Sequence, residues 1–423
     1  MVMIPRAEDF ERLAIRWADA PHTSDGYPNI VASISAFPEL YAQDRDSLPQ
    51  NDSDRAFALV CRACDILDDR VMFAQTDEDA DRLTKTACGY LGEAVKLDPQ
   101  CFDAVRILYS MEHGTRDVMV SFLRERAEEV CGACETIAAA QNLPAPEGRM
   151  SVSVYMRPYL RWLFNLANEE LNCGRYRRSL EVCEQIMDLD APDLAGARLV
   201  AAYDFVKLED PEGLAELIAR FDGKRNAWFD LSRVFMAYKQ FRLEDAASIL
   251  HEVVRTYPGA GNTLSAQQEV LPGAFCHLCY QEGSADELFV AVSEAAVILD
   301  ECGDDEESAL SAWIADDPFV QQAREAEDAE RDLVATGALR RRDPRRGGGL
   351  ENGTAANDDP FGGKGSPDAG KGAPGEPSDG SPDGHAPGAG GETGGAGTQG
   401  GPADAGRGGA GGGSDDAGGS DEA

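Results

Sequence analysis

Arg157-Pro-Tyr-Leu-Arg-Trp-Leu-Phe-Asn-Leu-Ala-Asn-Glu-Glu-Leu-Asn-Cys-Gly-Arg-Tyr-Arg-Arg-Ser-Leu-Glu-Val-Cys-Glu-Gln-Ile-Met-Asp-Leu189 carries two helical patterns back to back. Leu160, Leu163, Leu166 and Ala167 form one apolar stripe; Ser179, Cys183 and Ile186 form the next, at i, i+4 and i+7. Gly174 and Tyr176 lie between them as a turn, and Ala191-Pro192 follows as a stop. A helix pair of this length cannot bury its apolar faces alone, so neighbours of the same kind are expected on either side.

The neighbours are there in the same phase. With Leu160 as the first of 34 positions, Leu163, Leu166 and Ala167 stand at 4, 7 and 8, and Ser179, Cys183 and Ile186 at 20, 24 and 27. Upstream, Ala87, Leu91, Ala94 and Pro99 repeat the second half of that pattern. Downstream, Ala246, Leu250, Val253 and Pro258 do so again. From Ala191 to Pro258 is 67 residues, close to two units. From Pro99 to Ala191 is 92, one unit plus an insertion holding a long helix (Thr115–Gln141) and a Pro-rich loop over 141–151. Small residues at 8 and 20 let the helices of one hairpin approach closely, and larger ones at 4, 7 and 24 fill the space between hairpins.

On these positions the chain resembles the tetratricopeptide-repeat family. It is most similar to bacterial members with an Arg-Pro-Tyr-Met-Arg entry, seen here as Arg157-Pro-Tyr-Leu-Arg161. In that group a Leu-Asn-Pro-Asn-Asp-Asn-Gln-Gly motif closes the repeat. The corresponding stretch here is Leu189-Asp-Ala-Pro-Asp-Leu-Ala-Gly196, so the polar turn has drifted. The likeness runs from about Lys85 to Asp300. It implies an all-α fold, helical hairpins stacked in a right-handed superhelix. It says little about function, because such arrays bind many unrelated partners.

Outside the clearest repeat, helices are expected over Arg6–Ala20 and Asp54–Asp69, with a Pro- and Asp-rich loop between them. Asp77–Leu97 begins after Thr76, with acids that complement a helix N-terminus. Ser284 and Glu287 form a capping box for a helix over Ala285–Asp300. The predicted organisation is an irregular helical region over 1–80, a repeat domain over 81–335 and a tail over 341–423.

That tail holds 28 of the chain's 44 glycines, with Phe361 its one aromatic residue and Leu350 its one aliphatic residue larger than Ala. It cannot bury enough apolar surface to offset backbone ordering of roughly 1–2 kcal/mol per residue, which predicts a disordered coil. The formal net charge is −37, of which the tail carries −7. So acidic a chain repels phosphate backbones, which argues against a general nucleic-acid role. The basic run Arg340-Arg-Arg-Asp-Pro-Arg-Arg346 reads as a helix stop and linker. With no secretory h-region after Met1 and no run of eighteen apolar residues, the expected location is cytoplasmic, without a membrane span.

Eleven cysteines include three Cys-x-x-Cys pairs: Cys61/Cys64, Cys131/Cys134 and Cys276/Cys279, the last enclosing His277. Structural zinc needs four converging ligands, usually from two pairs 12–20 residues apart. Here 66 and 141 residues intervene, and the pairs fall in helical pattern, so they read as small core residues in a reducing compartment. Cys276, His277 and Cys279 form the one set kept as a metal or thiol alternative, because Pro272-Gly273 precedes it. The acidic clusters Asp77–Asp81 and Asp304–Glu307 lack a calcium-loop layout. No Gly-x-Ser-x-Gly elbow, phosphate loop or His-Glu-x-x-His pair occurs, so neither an enzyme nor a cofactor is expected.

The family resemblance places positions 2, 5, 9 and 12 of each first helix on a concave groove. Those positions hold Arg161, Phe164 and Asn168 in the clearest repeat, Arg198, Ala202 and Phe205 in the next, and Arg106 and Ser110 in the earlier one. Arginine with asparagine suits a carboxylate or an extended backbone. Arg106, Arg161, Phe164, Asn168, Arg198 and Phe205 are therefore the expected contacts to a peptide or protein partner of a non-catalytic scaffold. The competing view pairs these arginines with nearby Glu and Asp.

Overall fold

The computed structural model describes residues 5–19, 30–270, 278, 281–300 and 308–335. The predicted tail over 341–423, the runs Arg340–Arg346 and Asp304–Glu307, and the set Cys276, His277 and Cys279 lie outside the described residues. Within them the protein is all-α. Its helices are α1 (Pro5–Asp19), α2 (Ile30–Asp44), α3 (Asp52–Asp69), α4 (Asp77–Leu97), α5 (Phe102–Glu112) and α6 (Arg116–Ala140). Then come α7 (Arg157–Asn172), α8 (Tyr176–Leu189), α9 (Ala197–Leu208), α10 (Pro211–Arg220), α11 (Ala227–Lys239) and α12 (Leu243–Thr256). The last five are α13 (Ala260–Ala266), α14 (Ala285–Glu294), α15 (Ala296–Leu299), α16 (Ala309–Ala315) and α17 (Pro318–Ala335). Among the described residues extended pairing is limited to one isolated bridge, Arg149 with Asp190.

Local chemistry sets the helix starts. Asn51 and Asp54 form a reciprocal capping box at α3, with Asp54 N–H donating to Asn51 Oδ1 at 2.9 Å and Asn51 N–H to Asp54 Oδ2 at 3.0 Å. Thr76, Asp210, Asn226 and Ser284 cap α4, α10, α11 and α14 with their side-chain oxygens. The buried Asp190 carboxylate accepts from Ser151 N–H and Oγ–H and from Leu194 N–H, tying the loop before α7 to the α8–α9 connection.

Helices α3 and α4, α7 and α8, α9 and α10, and α11 and α12 pack as neighbours joined by short turns; α7 also touches α9 and α9 touches α11, with α5 against α7 and α14 against α11. One continuous core runs from Phe102 to Val320. The second helices bury the repeat positions completely: Ala87, Leu91 and Ala94; Ser179, Cys183 and Ile186; Ala246, Leu250 and Val253. In α10 the matching position is Gly213, where a Cβ would run into the Phe205 ring of α9. A small residue is needed there because the paired helix comes that close.

Three successive hairpins close with the same turn. Gly174, Glu209 and Phe241 are left-handed, with φ of 74°, 54° and 57°. The following N–H in each case donates five residues back: Arg175 to Glu170 O, Asp210 to Phe205 O, Arg242 to Ala237 O, at 2.9, 3.0 and 2.9 Å. The three turns are spaced by 35 and 32 residues, together the 67 of the sequence period. Phe241 holds this conformation without glycine's freedom and is 87% exposed.

Three expectations change. The stretch between the first two predicted helices contains α2, despite Pro38 in its interior. Phe37, Leu40 and Tyr41 pack there with Phe10, Leu13 and Trp17 of α1, and this tertiary contact outweighs proline's local penalty. The helix predicted over 285–300 breaks into α14 and α15 at Ala295, whose N–H is shared between the carbonyls of Ala291 and Val292. The boundary drawn at residue 80 falls inside α4, and α3 pairs with α4 across it. No helix among the described residues is long and apolar enough to cross a membrane.

Candidate functional site

Arg161 and Arg106 converge, and what joins them is acidic. From α7, Arg161 clasps Asp103 of α5 in a two-point contact, Nε–H to Oδ1 at 2.8 Å and Nη2–H to Oδ2 at 2.5 Å. Its Nη1 donates to Glu8 Oε2 of α1 at 2.6 Å. Glu8 Oε1 also accepts from Arg12 Nε and Nη2, at 3.1 and 2.8 Å. Arg106 lies 3.6 Å from Asp103 and donates to Asn165 Oδ1 at 3.0 Å. Phe57 of α3 closes one side, with the Arg12 guanidinium 4.2 Å and that of Arg161 5.8 Å from its ring centre. The space left beside Arg12, Asp103 and Cys101 is about 30 Å³, room for roughly one water.

The electrostatics follow from this geometry. Burial disfavours a charged Asp103, but Arg161, then Arg106 and Arg12, outweigh it and hold the carboxyl at about 2. Burial likewise works against charge on Arg161, and the carboxylates of Asp103 and Glu8 reverse that, raising it well above the ordinary arginine value. Arg106 is lowered, by burial and then by Arg161, in spite of Asp103. Two acids among three arginines thus form a buried ionic junction of α1, α5 and α7. Further pairs fasten α1: Glu11 to Arg157 at 2.7 Å, Arg6 to Asp65 at 2.6 Å, and Arg16 to the buried Asp54.

The other expected contacts lie elsewhere. Arg198 donates to Asp193 through Nη1, to the carboxylate at 2.8 Å and to the carbonyl at 3.1 Å, and covers the Phe221 ring. Asp193 also caps α9 through the N–H groups of Ala197 and Arg198. Phe205 is buried beside Gly213. Phe164 and Asn168 are half-buried on α7, the Asn168 amide donating to Phe164 O at 2.9 Å. Glu8 and Asp103 were not singled out in the sequence, since nothing local marks an acid 153 or 58 residues from Arg161 as its partner.

The two described Cys-x-x-Cys pairs lie on helices. Burial pushes the Cys61 thiol well up, and Cys64 and Cys134 to about 12; Cys131 is raised as well, again by burial. Comparison with protein-family models, with curated proteins and with solved structures finds no match to this chain.

Proposed function

We propose that the protein is a non-catalytic interaction scaffold of the tetratricopeptide-like kind, an array of stacked helical hairpins that holds a peptide or protein partner on side-chain surface. The repeat part of this proposal draws on the left-handed turn recurring at Gly174, Glu209 and Phe241 and on the small residue at each position 20: Ala87, Ser179, Gly213 and Ala246. The observation that carries the binding part is Glu8 on Arg161: a helix from outside the repeat hairpins is held against α7 by a carboxylate seated on a groove-position arginine. In this proposal Arg106, Arg161 and Arg198 serve the internal junctions, and Phe164 and Asn168 remain on the partner-facing side. A cytoplasmic location belongs to the same proposal.

The test is a peptide array probed with the full chain, followed by titration of the retained sequences in solution. The expected result is a subset with shared chemistry, bound with Kd on the order of micromolar and saturably. Uniform background across acidic, basic and neutral sequences would remove the proposal.

A further inference from the structure

A cleft of about 270 Å³ opens between α10 and the start of α11. Its apolar side is the exposed Ala215 and half-buried Ile218 of α10, with Phe229 of α11 lining it but only 2% exposed, and three cations line the rest: Lys224 and Arg225 from the connecting turn and Arg233 from α11. Asp230 is the one acid in the lining, and it is already engaged. Its Oδ2 accepts from Arg225 Nε and Nη2, at 3.1 and 3.0 Å, and from the Tyr257 hydroxyl at 3.1 Å. Arg233 stands 3.7 Å from the other oxygen and, like Arg225, is 46% exposed. Lys224 is exposed, with no acid within ion-pair reach among the described residues. The lining thus sets three cations against one satisfied carboxylate, with Glu252 acting on Arg225 from outside it, in a chain whose formal charge is −37.

We infer that this cleft binds an acidic peptide segment of a partner protein, with an aliphatic or aromatic side chain on Ala215 and Ile218 and neighbouring carboxylates on Lys224 and Arg233. This rests on the scaffold proposal above and names its partner's chemistry. Charge complementarity selects the sign: an anion gains from the cleft's cations, whereas the net acidic character of the chain disfavours it elsewhere. Size selects the peptide. Pockets for whole small ligands hold roughly 300–1,000 Å³, and this cleft falls below that range, suited to one or two anchoring side chains. Arginine's planar fork favours carboxylate geometry, and Arg225 is held in place by Asp230. Lys224-Arg225, adjacent bases in an acidic chain, are the sequence trace of the site.

The experiment is fluorescence anisotropy on the full chain with a rhodamine-labelled Glu-Asp-Leu-Glu-Phe-Asp peptide, beside its Gln/Asn isostere and a Lys/Arg counterpart. A Lys224→Glu/Arg233→Glu variant is compared with Arg82→Glu/Lys85→Glu, an equal charge change on exposed residues of α4. The acidic peptide should bind, and the isostere and the basic peptide should not. The cleft variant should weaken binding about tenfold or more and the α4 variant about twofold or less. Raising salt from about 50 to about 300 mM should weaken it as well. Equal loss in both variants overturns the inference, as does equal binding of acidic and isosteric peptides, or a uridine oligonucleotide binding the cleft in place of the peptide. If other sequences from the array bind and acidic ones do not, the cleft assignment fails and the scaffold stands; if no sequence binds, both fall.

Discussion

Glu8 Oε2 lies 2.6 Å from Arg161 Nη1, and the two residues are 153 positions apart. Glu8 is 1% exposed at the side chain and Arg161 15%, so solvent screens this pair weakly. The pair joins the first helix to the clearest repeat. It also places a carboxylate of the chain itself on the arginine whose sequence context suggested a carboxylate ligand.

Removing that carboxylate should be costly. Glu8→Gln leaves Arg12, Arg106 and Arg161 around Asp103 alone, and breaking a buried pair from one side typically costs roughly 3–5 kcal/mol. Urea denaturation of the variant should show that loss, with earlier proteolytic cleavage near α1. A change below about 1 kcal/mol would mean the junction contributes little.

The repeated turn predicts opposite effects at equivalent positions. Gly174→Ala forces a Cβ into a left-handed residue and should cost about 1 kcal/mol. Phe241→Gly relieves the same strain and, with the side chain exposed, gives up almost no packing, so a gain of about 1 kcal/mol is expected. Thermal melts of the two variants check the signs; matching signs would break the equivalence.

Gly213→Ala should destabilise by about 1–3 kcal/mol, because the new methyl meets the Phe205 ring and the Asp210 carboxylate that caps α10. Pairing it with Phe205→Leu should restore part of the loss. Independent, additive effects would show that the helices do not approach as described.

A buried acid gives the pH dependence a sign. Burial first, opposed by the Ser179 hydroxyl, raises Asp204 from 3.8 to about 8, and its Oδ1 has no hydrogen-bond partner. The folded protein therefore holds a proton that the unfolded chain releases near pH 4. The stability linked to this proton is fully present below about pH 4 and declines as pH rises through about 8, levelling above it. Asp204→Asn should flatten that decline and raise Tm at pH 7 and above. The readout is the difference between the melting curves of the two proteins across pH 5–9; parallel curves would refute it.

Much of the helical architecture is legible in the chain. Leu163, Leu166, Ala167, Ser179, Cys183 and Ile186 announce α7 and α8 through spacing alone, and Thr76 with its following acids places the start of α4 at the residue where it begins. Helix α2 was hidden because Pro38 interrupts it and its apolar residues follow no clean helical period; its stability comes from the α1 aromatic contacts. The basic cleft was hidden for a different reason. Lys224 and Arg225 are adjacent in sequence, but Arg233 and the apolar wall join them only when α10 and α11 are set side by side.

By itself the sequence determined that the chain is helical, the period of the hairpins and the place of the Gly174 turn. Each follows from forces acting within a turn or two: apolar spacing, capping, and a small residue where two paired helices meet. Only the tertiary structure decided what each arginine faces. Charges pair by distance in space, and burial decides how strongly they couple. Neither quantity is written in the neighbours of Arg161, whose partners come from α1 and α5.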